Sequence, residues 1–95
     1  MLQFAEEFKE VSSPISYMVA HEMQSVIVIG HSNGAITFYD FSKKVTIGKI
    51  EPAESEESCV QSMTFLNHCL SLAVGYSDGN IKIYDAKNYK LLSVV

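Results

Sequence analysis

The fold is decided by an eleven-residue stretch that occurs twice: Gly30-His31-Ser32-Asn33-Gly34-Ala35-Ile36-Thr37-Phe38-Tyr39-Asp40 and, 45 positions later, Gly75-Tyr76-Ser77-Asp78-Gly79-Asn80-Ile81-Lys82-Ile83-Tyr84-Asp85. Six of the eleven pairs are identical, and Asn33 with Asp78 is a near-match. A fixed offset of this size is typical of a tandem structural repeat, in which each copy forms one small unit of the fold.

The repeated dipeptides Asn33-Gly34 and Asp78-Gly79 predict tight hairpins. Asn, Asp and Gly tolerate positive φ, so we expect type I′ turns at both places. Apolar residues stand at consecutive positions before each turn, and β-branched and aromatic residues follow it, which favours strands on both sides. Each dipeptide is therefore expected to join the second and third strands of its unit.

Two further strands complete each unit. Residues 15–20 and 60–65 precede the hairpins, and 45–50 and 90–95 follow them. The chain is thereby divided into a first unit at 14–50, an acidic loop at 51–58 and a second unit at 59–95. For residues 1–13 two interpretations stay open: a strand from a preceding unit, or a short amphipathic helix.

Composition excludes several functions. The 95 residues carry a net charge of −4, which lacks the basic surface that nucleic-acid binding demands. No apolar stretch approaches the ~20 residues that span a bilayer, and no signal-peptide core is present. Cys59 and Cys69 are too few for a disulfide framework. That count, with no Asn-x-Ser/Thr acceptor in the sequence, fits a reducing, cytoplasmic location best. With Phe65 expected to face Leu70 across a hairpin, the two thiols would also lie too far apart to pair.

No arrangement of residues for catalysis, cofactor binding or metal binding emerges from the sequence. The histidines His21, His31 and His68 fall at expected strand ends or turns. Asp40 and Asp85 repeat as a pair, but equivalent positions in two units predict a structural role at the strand exit rather than shared acid–base work.

The acidic loop offers one candidate contact site. Its carboxylates Glu54, Glu56 and Glu57 have no neighbouring counter-charge, so we expect them to be solvated. Loops on rigid scaffolds often carry recognition, which makes these residues candidates for contact with a basic partner.

Four-stranded units of about 45 residues, each with an Asn/Asp-Gly hairpin, resemble the blades of WD-repeat β-propellers. The pairs Tyr39-Asp40 and Tyr84-Asp85 stand where that family usually has Trp-Asp. The resemblance implies an all-β fold with two four-stranded antiparallel propeller blades, part of a larger propeller. In many members of that family, a group of buried, hydrogen-bonded side chains holds each blade together. Most of these side chains are absent here, and only Asp78 remains. Apolar packing and the hairpin turns are therefore expected to hold these blades together.

A narrower likeness concerns the runs Val28–Gly34, Leu72–Gly79 and Lys90–Leu92, which are similar to the start of the propeller in the vacuolar sorting scaffold subunit of the endosomal tether CORVET. The WD-repeat resemblance implies a non-catalytic scaffold whose partners are other proteins, while the composition argues against nucleic-acid binding and membrane insertion. Three alternatives stay open: the propeller of a vesicle-tethering or endosomal sorting subunit, as the narrower likeness implies; a segment of a propeller enzyme whose active site lies on other blades; and a truncated, non-functional product.

Both outer faces of such a pair of blades are expected to be apolar and bare, because each blade of a propeller is covered on both sides by its neighbours. The sequence therefore predicts either a piece of a longer polypeptide or a chain that completes its ring by self-association.

Overall fold

The computed structural model describes residues 14–51 and 58–95. The segment 1–13 and the candidate contacts Glu54, Glu56 and Glu57 lie outside the described residues. The described chain forms eight strands in order: β1 (Ile15–Ala20), β2 (Val26–His31), β3 (Ile36–Asp40), β4 (Val45–Ile50), β5 (Val60–Leu66), β6 (Ser71–Tyr76), β7 (Ile81–Asp85) and β8 (Leu91–Val94).

The strands form two antiparallel sheets, ordered β1-β2-β3-β4 and β5-β6-β7-β8. Each strand pairs with its neighbour in sequence, so every connection within a sheet is a hairpin. Val28 pairs with Phe38 in the first sheet and Ala73 with Ile83 in the second, at positions related by the 45-residue repeat. The expected all-β fold with two four-stranded sheets is confirmed.

The two sheets pack face to face, and their first strands, β1 and β5, lie next to one another. One apolar core fills the space between them, built from both sheets: Val28, Ile36, Phe38, Ile50, Val60, Met63, Leu72, Val74, Tyr76 and Tyr84. Val60 and Leu72 are fully buried in it. Burying such side chains contributes about 1.5–3 kcal/mol each, so this core is the main source of stability between the sheets.

Gly30 sets how closely the sheets approach. A Cβ built on Gly30 would lie 2.5 Å from Val60 Cγ1 and 2.7 Å from Val60 Cβ. Glycine thus makes room for the first residue of β5 to pack directly on the backbone of β2. The contact is reinforced beside it, where the Ser16 hydroxyl donates a hydrogen bond to the Val60 carbonyl at 2.6 Å.

The β5–β6 hairpin differs from the expectation. Phe65 pairs with Leu72, so the prediction that it faces Leu70 is wrong. The cause is a longer turn than the sequence indicated, in which Asn67, His68 and Cys69 all have positive φ and the Leu70 N–H donates to the Asn67 carbonyl. Cys69 is consequently a buried turn residue, and both cysteines are free thiols.

Candidate interaction surfaces

The two repeated turns have the same geometry, and it is not the expected one. In the first, the Gly34 N–H donates to the His31 carbonyl and the His31 N–H to the Ala35 carbonyl. Positive φ occurs at Gly34 (94°) but not at Asn33. This is a type I turn followed by a left-handed glycine, the three-residue hairpin with a bulge. The type I′ prediction, which needs positive φ at Asn33, is wrong.

A side-chain hydrogen bond explains why the asparagine keeps negative φ. Asn33 Oδ1 accepts the N–H of Ala35, two residues on, and the Asp78 carboxylate accepts the N–H of Asn80 in the same way. Such bonds stabilise a turn that begins at Asn or Asp. The Asn80 N–H, helped by the Ser58 side chain, lowers the pKa of Asp78 from its ordinary value.

The repeated aspartates Asp40 and Asp85 each organise the turn after their strand. Asp40 accepts hydrogen bonds from the N–H groups of Ser42 and Lys43, and Asp85 accepts those of Lys87 and Asn88. The Lys43 N–H is the main reason that the pKa of Asp40 is lowered.

For Asp85 the main cause of a lowered pKa is the Lys87 N–H. The structure places the two carboxylates in separate sheets, each on its own turn. This arrangement suits holding a turn rather than moving a proton.

The repeated tyrosines face the same direction in their respective sheets. Tyr84 lies in the core between the sheets, where its hydroxyl is 3.1 Å from the hydroxyl of Tyr76. Burial raises the pKa of Tyr76, and the Tyr84 bond adds to the shift. Tyr39 packs with Ile27 and Ile29 on the face of the first sheet that points away from the second.

This outward face of the first sheet is shielded within the chain. Ile29 and His31 are fully buried there, and Thr37 is buried beside them. His31 Nε2 lies 2.9 Å from Thr37 Oγ1. The prediction of two bare apolar faces is therefore wrong for this side, because these residues are already out of solvent in the chain by itself.

The face of the second sheet that points away from the first sheet is exposed. Its residues are equivalent, in the 45-residue repeat, to those that the first sheet buries against the second. The first sheet presents Val28, Gly30, Ile36, Phe38 and Ile50 to the second; the residues 45 positions later are Ala73, Gly75, Ile81, Ile83 and Val95. Ile36 is 0% exposed and Ile81 is 44% exposed. Ile50 is 8% exposed and Val95 is 74% exposed. Equivalent apolar positions are thus covered in one sheet and uncovered in the other.

Sequence reasoning missed a groove at one end of the interface between the sheets. The turns after β1, β5 and β7 meet there around a space of about 270 Å³. His21 and His68, which the sequence suggested only as turn residues, line this groove. No motif marks it, because its residues come from both sheets and meet only after packing.

Within residues 14–51 and 58–95, no three His, Cys, Asp or Glu side chains cluster to hold a metal ion. Over the same ranges, no helix has the length and apolar character needed to cross a membrane.

Comparison with protein-family models identified the family of the chain. A family model described as the Vps8 beta-propeller matches residues 3–95, nearly the whole chain. A search of curated proteins found no match.

Proposed function

The chain belongs to the Vps8 β-propeller family, and from this premise we propose that it forms two consecutive blades of a propeller serving as a non-catalytic platform for protein contacts. The first blade comprises residues 14–50 and the second 59–95. The platform belongs to a subunit of an endosomal tether and works on the cytoplasmic side of the membrane. No cofactor is needed for this function.

The observation that carries the proposal is the open face of the second sheet, defined by Ala73, Gly75, Ile81, Ile83 and Val95. A further unit of the same kind would bury this face as the second sheet buries the equivalent face of the first. Val60 shows how: its side chain occupies the space that Gly30 leaves. The equivalent Gly75 carries only the Ser62 side chain, whose Oγ would lie 2.8 Å from an added Cβ. The face is therefore shaped for another blade.

The hydrogen bonds of three polar residues on the strands support a structural role. Ser16 bridges the two sheets through the Val60 carbonyl, and Asp40 and Asp85 are bound to turn amides. Such groups position backbone rather than substrate. The acidic residues Glu54, Glu56 and Glu57 between the blades are proposed to contact a basic partner.

The function is tested by tagging the protein at its own chromosomal locus and quantifying co-purifying proteins by mass spectrometry. We expect enrichment of the other subunits of an endosomal tether over an untagged control. A variant that carries both Ile81→Asp and Ile83→Asp places two negative charges on the open face. This variant should no longer enrich the tether subunits. A well-expressed, folded protein that enriches no tether subunit would contradict the proposed function.

A further inference from the structure

The groove between the sheets is apolar and aromatic at its base. Phe38, Phe65 and Tyr89 line it. The ring centroids of Phe38 and Tyr89 are 4.6 Å apart, and the His21 ring meets Phe65 edge-on at 5.1 Å. These contacts fix the rings in place, so the groove exists before any ligand arrives.

Two large apolar side chains stand exposed at the mouth of the groove. Met23, in the turn after β1, is 69% exposed, and Leu70, in the turn after β5, is 65% exposed. Both line the groove from opposite sheets. Together with the apolar lining they extend the groove into one continuous exposed apolar surface, which is typical of an interaction site. They provide the groove with a surface that a partner's side chain can cover.

The groove has positive character in a chain of net charge −4. Lys87 is the one formally charged residue that lines it within the described part of the chain, and no carboxylate of that part does. The nearest acidic neighbours in sequence are Glu22 and Asp85. Neither of them lines the groove. The Asp85 carboxylate, which also attracts Lys87 electrostatically, accepts the N–H groups of its own turn.

His21 adds a directed hydrogen-bond donor. Its Nδ1 accepts the N–H groups of Met23 and Gln24 at 3.0 and 3.1 Å. A neutral imidazole that accepts at Nδ1 carries its hydrogen on Nε2. The groove therefore offers two donors suited to an acidic group, the His21 Nε2–H and the Lys87 ammonium.

We propose that this groove binds a short peptide segment of a partner protein, in which one or two large apolar side chains stand next to an aspartate or glutamate. The volume is below the roughly 300–1,000 Å³ of small-molecule pockets, which fits one or two side chains and not a bulky cofactor. The apolar side chains cover the aromatic base between Met23 and Leu70. The carboxylate is bound by Lys87 and His21. This inference does not depend on which complex the propeller serves.

The test is titration of the ¹⁵N-labelled chain with a nine-residue peptide that has leucine and phenylalanine at its centre and two aspartates on each side. We expect saturable shifts of amide signals confined to residues around the groove. Leu70→Asp should weaken binding more than about tenfold, and Lys87→Ala about three- to tenfold, because each removes one of the two kinds of contact.

Two controls keep the proposal falsifiable. Leu92→Asp changes a similarly exposed leucine on β8, 56% exposed against 65% for Leu70, which does not line the groove, and should leave the affinity unchanged. A peptide with lysines in place of the aspartates should bind at least tenfold more weakly. Absence of saturable shifts, equal binding of both peptides, or equal losses in Leu70→Asp and Leu92→Asp would overturn the proposal.

Discussion

Replacing Gly30 by alanine tests whether the close approach of the two sheets holds the fold together. The added Cβ would meet Val60 Cγ1 at 2.5 Å and Val60 Cβ at 2.7 Å. Rotation about χ1 can move Cγ1 but not Cβ, which is fixed to the β5 backbone. Val60 is fully buried in the core cluster, so its neighbours there limit how far it can shift. Relief therefore requires the sheets to separate.

Overpacking of this kind costs about 1–3 kcal/mol of unfolding free energy. The gain from replacing a flexible glycine in the unfolded chain offsets about 0.4–1 kcal/mol of that, and we expect a net loss of roughly 1–2 kcal/mol. For a domain of this size each kcal/mol lowers Tm by about 4–8 °C. Urea unfolding followed by circular dichroism measures the free energy directly.

The repeat supplies a matched control in Gly75, which occupies the equivalent position on the open face. An added Cβ there would meet the exposed Ser62 Oγ at 2.8 Å, and a serine hydroxyl can rotate away. Gly75→Ala should thus change stability by less than about 0.5 kcal/mol, since the backbone conformation suits alanine.

A second variant, Val60→Ala, localises the effect. Alone it should cost about 2 kcal/mol through lost burial. Combined with Gly30→Ala it should cost clearly less than the sum, because the smaller side chain accommodates the new Cβ. Equal effects at Gly30 and Gly75, or strictly additive costs in the double variant, would refute the packing argument.

Three further predictions follow from the turns and the core. Gly79→Val should destabilise the chain by more than about 1 kcal/mol in thermal unfolding, since φ is 92° in open space and the cost is backbone strain alone; an unchanged melting curve would disprove the turn assignment. The pKa values of Asp40 and Asp85 are lower in the folded chain than in the unfolded chain, where an aspartate has a pKa of about 3.9. Their contribution to the unfolding free energy is therefore complete above about pH 3.9 and is lost as the pH falls through the folded-state pKa values. Melting temperatures should therefore fall more steeply below pH 4 in the wild type than in the Asp→Asn double variant; parallel curves would refute this. Tyr76→Phe leaves the buried Tyr84 hydroxyl without its observed partner and should lower the unfolding free energy in urea by about 1–2 kcal/mol. A urea midpoint equal to that of the wild type would count against the hydrogen bond between the two hydroxyls.

The repeat made the sheets predictable from sequence because it marks the same hairpin twice. The eleven-residue match at Gly30 and Gly75 locates β2, β3, β6 and β7, and the flanking apolar runs supply the other strands. The type of turn was harder to infer. Asn-Gly and Asp-Gly suit both hairpin types, and the bond from Asn33 Oδ1 to the Ala35 N–H decides between them only once the chain is folded.

Other features depend on contacts that no local pattern records. The turn at Asn67–Cys69 uses three left-handed residues without a glycine, which single-residue preferences disfavour. The groove between the sheets combines Phe38 and Met23 from one sheet with Leu70 from the other. Its lining is scattered in sequence, so only the packing of the two sheets brings it together.

The second sheet leaves exposed the surface whose counterpart on the first sheet is buried. A tandem copy of residues 51–95 joined after Val95 would continue the repeat without a change of register and place a second Val60 over Gly75. The decisive measurement is the rate at which a thiol reagent labels Ile81→Cys, with the native cysteines replaced by serine, in the chain with and without the added copy. We predict that the Ile81→Cys thiol is labelled rapidly in the 95-residue chain and more than tenfold more slowly in the extended chain. Equal rates in the two proteins would contradict it.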